Sequence, residues 1–472
     1  MTAPQSIVIV GAGQAGGWAA RTLRAAGFAG RITVVGDEPH PPHERPPLSK
    51  AVLAGASEPA VCHLFKPEAL AALGLDRAAR ERATAIDRAA RVVLTDRGRR
   101  LGYDRLLIAT GSRVRQLAVP GADRPEVHYL RTIADALALR ERLVEGRRLL
   151  VVGGGWIGLE AAATARKRGV AVAVLEAADR LCARAVPAEV ATFLARLHAS
   201  HGVEVRLGAK LDRFEPACGG GIDAVLADGT RVAADTVLVG VGIVPNVELA
   251  REAGLEVANG IVVDDQGRTS DPDIFAAGDV TDLPAARLGR RVRLESWQNA
   301  QEQAMVAAKA LLGGDARYDP LPWFWSDQYD ANIQVLGMPE RWPAGVVRGD
   351  PAGTSFSLFY LRPDAVPDGE AAIEAVVSIN APRDLRAARR LIEQGPSGAC
   401  ADARRPAEQP SETVEPCRRL RPRAPRCSPW PGRARSARCT ARSRAASRRP
   451  NRSTSVPRTT ASGGVRPRSG RT

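Results

Sequence analysis

The sequence predicts an α/β protein built on two Rossmann-like dinucleotide-binding domains, followed by a smaller third domain and a disordered tail. Three observations carry that expectation. A strand, glycine turn and helix occur in succession twice, each time with an acid at a set distance beyond. Aromatic residues are only 4% of the chain, yet Trp323, Phe324, Trp325 and Tyr329 crowd into PWFWSDQYD at 322–330. Composition then changes abruptly after residue 396.

The first pattern is IVIVGAGQAGGWAARTL, in which Gly11, Gly13 and Gly16 form G-x-G-x-x-G. The first glycine permits the tight turn, the second lets backbone approach a pyrophosphate, and the third lets helix pack on strand. The helix N-terminus then faces the phosphates with its partial positive charge. A second strand, RITVVGDE, ends at Asp37, 21 residues after Gly16, where a carboxylate can accept from the hydroxyls of an adenosine ribose. ERPPLSK at 44–50 is held extended by Pro46 and Pro47 and offers Ser49 and Lys50 as a helix begins. DRLLIATGSRV supplies a further strand, ending at Thr110 and Gly111, where the chain leaves the first domain.

The pattern recurs in RRLLVVGGGWIGLEAAATARKRG, with Gly153, Gly155 and Gly158, and AVAVLE closes on Glu176, 18 residues later. One such pattern can be glycines that merely make tight turns; two with strand, helix and acid in place argue for two dinucleotides, a flavin and a nicotinamide nucleotide held face to face. Glu176 would repel a 2′-phosphate and Ala177 and Ala178 offer no cation, which favours NADH over NADPH; Arg180 could still reach a phosphate. The apolar strand of ADTVLVGVGIVPN closes this inserted domain. TSDPDIFAAGDV at 269–280 is a strand ending in Gly278 and Asp279, and a buried Asp there can bind a flavin ribitol hydroxyl. The first fingerprint therefore holds the flavin. The expected domains are 1–112 with 245–320, 113–244, 321–396, and a tail over 397–472.

RLESWQNAQEQAMVAAKALL reads as a helix starting near Gln298 or Asn299, with Ala304, Ala307, Ala308 and Leu311 on its apolar face. PWFWSDQYD opens the third domain. Trp325 is the best candidate for lying near the flavin and Trp323 the second; a plain core strand is the alternative for Trp323 and Phe324. SFSLFYLR and EAVVSIN read as the sheet of this domain, and DLRAARRLIEQG as its last helix, ending at Gly395.

At 44% hydrophobic residues the 472-residue chain can bury a large core. No run of apolar residues is long enough for a membrane span, and the start carries no secretory signal, so a cytoplasmic protein is expected. The net charge of +15 suggests nucleic acid until its position is read. Residues 397–472 hold 19 Arg, no Lys and 4 acids, so the whole excess lies there and the other 48 basic and 48 acidic residues cancel. That tail has no hydrophobic period and should be disordered. It reads either as an arm for polyanions or as the product of a shifted reading frame; the sudden change and the use of Arg without Lys favour the latter, and argue against a nucleic-acid partner. No C-x-x-C or C-x₄-C lies near either fingerprint, which excludes dithiol chemistry. Residues 37–50 hold no Cys, which disfavours a sulfenate oxidase. Cys62, Cys182 and Cys218 read as isolated structural thiols, the histidines show no metal spacing, and His40 and His43, beside a Pro-Pro turn, read as solvated.

Taken together, GAGQAG, ERPPLSK, LLIATG, VVGGGWIGLE, VGIVPN, TSDPDIFAAGD, RLESWQNA and WFWSDQYD resemble the FAD-dependent NADH:ferredoxin reductases of the putidaredoxin-reductase and biphenyl-dioxygenase-reductase kind, over about residues 5–395. The resemblance implies a glutathione-reductase-like fold with a small C-terminal α+β domain. It implies hydride transfer from NADH to FAD, then single-electron delivery to a [2Fe–2S] ferredoxin or a rubredoxin. Matching motif to motif, it puts flavin contacts on Ala15, Asp37, Lys50, Arg131, Asp279 and Trp297, and adds Arg45, Ile157 and Gly242 as cofactor-binding candidates. It also implies that Lys50 and Glu160 stand together beside flavin N5, so that Lys50, Glu160 and Trp325 are the candidate catalytic residues. A surface Lys and a helix-dipole acid are the plainer readings of that pair. His43 and Trp297 depart from the family's commoner aromatic and small aliphatic residues.

An electron-transfer reductase is the leading expectation; an NADH oxidase or quinone reductase and a non-catalytic NADH sensor are the alternatives. Arg287, Arg290, Arg291 and Arg293 form a basic run that could steer an acidic partner. Monomer and homodimer both stay open.

Overall fold

The computed structural model describes residues 4–339, 345–362 and 372–394. The expected tail over 397–472 and the helix end at Gly395 lie outside the described residues.

The run IVIV has no polar position to turn to water, so a sheet covered on both faces is its natural place. Ser6–Val10 is the central strand of a five-stranded sheet, with Arg31–Gly36 and Asp76–Ala79 on one side and Arg105–Ile108 and Ile274–Ala276 on the other. All its pairs are parallel. Two helices, Gln14–Ala25 and Trp297–Leu311, pack on one another across its face. Their contact is built from Ala19, Ala20, Ala304, Ala307 and Ala308, whose small side chains let the helix axes approach. The helix Trp297–Leu311 starts one residue before the expected Gln298 because the Ser296 hydroxyl caps it, accepting from the Asn299 amide at 3.1 Å.

Ile274–Ala276 joins this sheet after a long excursion of the chain. The exit and the return lie side by side, Ser112–Val114 pairing antiparallel with Ile243–Pro245. Thr110 Oγ1 donates to the Asn246 carbonyl and Asn246 Nδ2 donates to the Thr110 carbonyl, each at 2.9 Å, which pins the crossing. The excursion forms a second parallel five-stranded sheet, ordered Val203–Leu207, Ala171–Glu176, Arg148–Val152, Thr236–Val239, Val127–Tyr129. Two α/β layers, each built on a parallel five-stranded sheet, follow from the repeated sequence pattern.

The third sheet is antiparallel: Trp323–Gln328, Ala331–Leu336, Ala372–Ile379, Phe356–Arg362, Gly345–Gly349. The helix Pro382–Gln394 buries Leu385 and Ala388 against Leu336 and Val376 on one side. The other side shares a core with the second layer, where Ile333, Phe356 and Tyr360 meet Leu159 and Leu194. Phe193 and Phe356 meet edge to face at 5.5 Å across that seam. This packing brings the aromatic strand Trp323–Gln328 against the helix Trp156–Lys167.

Candidate active site

The two fingerprints share one geometry. A Cβ on Gly11 would fall 2.1 Å from the Ala109 carbonyl oxygen, and one on Gly16 would fall 1.9 Å from that of Gly11. Both places are closed by backbone. A Cβ on Gly13 would meet nothing within 4 Å, so the second glycine alone faces open space. At the second fingerprint the distances are 2.5 Å for Gly153 and 2.3 Å for Gly158, whereas the nearest atom to a Cβ on Gly155 is 3.9 Å away. Neither Gln14–Ala25 nor Trp156–Lys167 has a side-chain cap or an acid in its first turn. Their first amides are therefore left for an incoming anion. Glu160 lies just past the first turn of the second of these helices.

A cleft of about 260 Å³ runs along the first fingerprint. Of the residues singled out from sequence, Gly11, Gly13, Ala15, Asp37, Arg45, Lys50, Thr110, Gly111, Arg131, Ile157, Glu160, Gly278, Asp279, Trp297 and Trp325 line it. Gly16 lies beneath Gly11. Gly153, Gly155, Gly158, Glu176 and Gly242 do not line this cleft, and belong to the second fingerprint and its neighbouring strand ends.

The cleft suits FAD on its own chemistry. Gln14, which lines it, has both amide atoms buried without a partner, and so does Arg131 at Nε. Unpaired buried polar atoms are costly, and a nucleotide's phosphates and hydroxyls would satisfy them. The open space at Gly13 lies where a pyrophosphate would need it.

Two charged clusters shape the walls. Arg131 meets Asp279 at 3.1 Å, leaving one Asp279 oxygen for a ligand hydroxyl. Glu38, which sequence reasoning passed over in favour of Asp37, lies 3.0 Å from Arg45 and 3.3 Å from His43. Burial opposes its ionisation, but the His43 hydrogen bond and the Arg45 guanidinium outweigh it and hold the carboxyl at about 2. Asp37 itself is exposed, with Arg82 3.4 Å away. His43 is 1% exposed, which corrects the expectation of a solvated ring. A bridge pairing His43 with His63 draws the Pro-Pro turn inward.

Deeper in, Lys50 Nζ lies 2.8 Å from Glu160 Oε2, with Glu160 3% exposed. Ser49 Oγ donates to the same oxygen at 2.5 Å and Ser326 Oγ donates to Oε1 at 2.6 Å. The carboxylate is thus fully engaged, and its partners come from ERPPLSK and from the aromatic strand.

The aromatics close the far end. Trp323 and Trp325 stack at 5.0 Å, and Trp297 meets Trp325 edge to face at 5.9 Å. Trp297 Nε1 donates to Glu44 at 2.6 Å. Phe324 and Trp323 both line the cleft, so neither is a plain core residue. Trp156, missed from sequence, packs on Phe324 at 5.0 Å.

At the second fingerprint the Glu176 carboxylate accepts from the amides of Gly154 at 2.7 Å and Ala178 at 2.8 Å. Arg180 donates to the Ala183 carbonyl at 2.9 Å, so its guanidinium is engaged by its own loop. The basic run is partly spent: Arg291 pairs with Asp282 and Arg293 with Glu295. Burial pushes the Cys62 thiol up to about 11 and the Cys182 thiol higher still, so neither offers a ready thiolate. Cys218 is exposed. Among the described residues no cluster could hold a metal ion.

Two nucleotide cradles in like-folded layers, with a lysine–carboxylate pair between them, define an oxidoreductase that couples a flavin to a nicotinamide. The family model described as pyridine nucleotide-disulphide oxidoreductase matches residues 5–304, and one described as reductase C-terminal matches 323–410. The ferredoxin–NAD(+) reductase component of an anthranilate 1,2-dioxygenase system from Burkholderia cepacia is 46% identical over 82% of this chain and 94% of its own length. Putidaredoxin reductase from Pseudomonas putida is 42% identical over 83% of this chain and 92% of its own length. The crystal structure of a covalent putidaredoxin reductase–putidaredoxin complex matches with a TM-score of 0.78 at 40% identity, covering 83% of this chain and 93% of that one. The chain belongs to the pyridine nucleotide-disulphide oxidoreductase family and, within it, to the FAD-dependent NADH:ferredoxin reductases.

Proposed function

We propose that this chain takes electrons from NADH through FAD and hands them singly to a small [2Fe–2S] ferredoxin or rubredoxin that serves an oxygenase or P450. The observation that carries this reading is the Lys50–Glu160 pair. The helix Trp156–Lys167 that opens the second fingerprint also carries Glu160 into the cleft of the first. One rigid element therefore relates the two nucleotide sites.

Gln14, the amides after Gly13 and the start of the first fingerprint helix would hold the FAD pyrophosphate. Asp37 would take the adenosine ribose, and Asp279 with Arg131 the ribitol. Gly153, Gly155, Gly158 and Glu176 would hold NADH, the Glu176 charge disfavouring a 2′-phosphate. Bound FAD supplies the chemistry, accepting a hydride equivalent and releasing electrons one at a time. Lys50 places a positive charge at the wall where negative charge would accumulate, and Glu160 keeps its ammonium aimed there. The N-terminus of Trp297–Leu311, which lines the same cleft, would add its dipole. Trp297, Trp323 and Trp325 cover the remaining edge and exclude water. No cysteine lines the cleft, which leaves no dithiol step.

We place the protein in the cytoplasm, the compartment of its reductant; no helix among the described residues is long and apolar enough to cross a membrane. The test is cytochrome c reduction by NADH with the FAD-loaded protein. Fast turnover only when a [2Fe–2S] ferredoxin is added supports the proposal. Equally fast oxygen consumption without ferredoxin would replace it with an oxidase.

A further inference from the structure

Glu160 is one end of a buried chain of hydrogen bonds that runs from the cleft through the third sheet to the helix Ala188–Ser200. Ser326 Oγ donates to Glu160, Gln328 Nε2 donates to Ser326 Oγ at 3.1 Å, and Gln328 Oε1 meets His198 Nε2 at 2.8 Å. Tyr329 OH lies 3.4 Å from His198 Nδ1. Ser326, Gln328 and His198 are all 0% exposed. Strand alternation explains two of these positions. In Trp323–Gln328 the even residues Phe324, Ser326 and Gln328 share one face, and the odd residues Trp323 and Trp325 share the other. His198 arrives separately, on the buried face of Ala188–Ser200.

The carboxylate fixes the direction of every link. An ionised carboxylate only accepts, so the Ser326 proton points to Glu160. The Ser326 oxygen must then accept from the Gln328 amide nitrogen. The Gln328 oxygen faces His198, so His198 Nε2 must carry a proton. Burial pushes His198 down to about 4, so at neutral pH the ring is uncharged and Nδ1 is bare, ready to accept from Tyr329. Each donor points toward Glu160, and each bond polarises the next. A polar chain of this length in a dry core is costly compared with an apolar filling. Its orientation matches one task, steadying a carboxylate.

We infer that Ser326, Gln328 and His198 are positioning residues that fix the Glu160 carboxylate, and through it the place of Lys50 Nζ at the cleft wall. This rests on the role given to Lys50 above. None of the three touches the cofactor cleft itself.

The first test reads the tautomer of His198 in the wild-type protein and uses a variant only to assign its signal. In full-length protein labelled with ¹⁵N-histidine, with and without FAD, the signal lost in His198→Gln identifies His198 among the six histidines. The Nε2–H tautomer is expected in both forms; the Nδ1–H tautomer would overturn the inference. The second test is anaerobic stopped-flow reduction of the FAD-loaded protein by NADH. Ser326→Ala should slow flavin reduction about tenfold, the scale of one lost hydrogen bond to a charge, with the NADH dissociation constant within about twofold. A wild-type rate in that variant would overturn the inference. Lys50→Met separates the two ideas. If it too reduces at the wild-type rate, the reading of Lys50 fails; if it is slow while Ser326→Ala is normal, only the positioning chain fails.

Discussion

Substituting the glycines of the first fingerprint one at a time should split folding from FAD binding. At Gly13 the backbone is extended, with φ −86° and ψ −160°, so alanine fits without strain. Its Cβ would touch no protein atom within 4 Å, so the apo-protein should melt within about 1 °C of wild type. The methyl instead fills space that an approaching pyrophosphate needs. Losing one charge-assisted bond from the helix amides costs about 1.5–3 kcal/mol, which weakens FAD binding about 10- to 100-fold. Gly16→Ala should do the reverse. Its Cβ would lie 1.9 Å from the Gly11 carbonyl oxygen and 3.3 Å from Ile9, and the backbone atom cannot swing aside. Prising the helix off the strand should cost about 2–3 kcal/mol or more and lower melting by several degrees. Thermal scans of apo-proteins and calorimetric FAD titration read both numbers. Wild-type FAD affinity in Gly13→Ala would refute the assignment of the cradle, and a normally stable Gly16→Ala would refute the packing.

Other outcomes follow from the same geometry. Lys50→Met should keep FAD but slow its reduction by NADH about 10- to 100-fold, read by stopped-flow bleaching. Glu176→Gln should raise kcat/KM for NADPH about tenfold relative to NADH in steady-state assays, because the repelling charge is gone while an oxygen remains for one of the two backbone amides. Glu38 is held at about 2 in the fold against an ordinary 4.5, so the stability it contributes is complete above 4.5 and is lost as pH falls toward 2. Urea midpoints of Glu38→Gln should therefore lose that acid-side slope. His198 is held at about 4 against 6.5, so the unfolded chain binds the extra proton between those values and stability falls as pH drops through them; His198→Gln should flatten that window.

Much of the architecture was legible because it follows local rules. Gly11, Gly13 and Gly16 declare a strand–helix turn by spacing alone, and the echo at Gly153, Gly155 and Gly158 declares the second layer. The return strand Ile274–Ala276 was legible because its apolar run ends in Gly278 and Asp279. The Lys50–Glu160 pair was visible only through resemblance, since nothing local links positions 110 residues apart. His43 was misread because a Pro-Pro turn suggests the surface, whereas its bridge to His63 buries it. The arginine run looked free because Asp282, the partner of Arg291, comes from the opposite strand of a hairpin. Ser326, Gln328 and His198 left no signal as a group. Only the alternation within WFWSDQ hinted that Ser326 and Gln328 share a face, and His198 comes from a distant helix. Ser296 was the overlooked cue, a capping residue that fixes where the helix Trp297–Leu311 begins.

The most direct test of the electron path is an anaerobic titration of the full-length, FAD-loaded protein. One equivalent of NADH should bleach the flavin absorbance, and two equivalents of oxidised [2Fe–2S] ferredoxin should then restore it. A flavin that keeps its colour under NADH, or one that bleaches and is reoxidised by admitted oxygen as fast as by ferredoxin, would contradict transfer from NADH through flavin to an iron–sulfur protein.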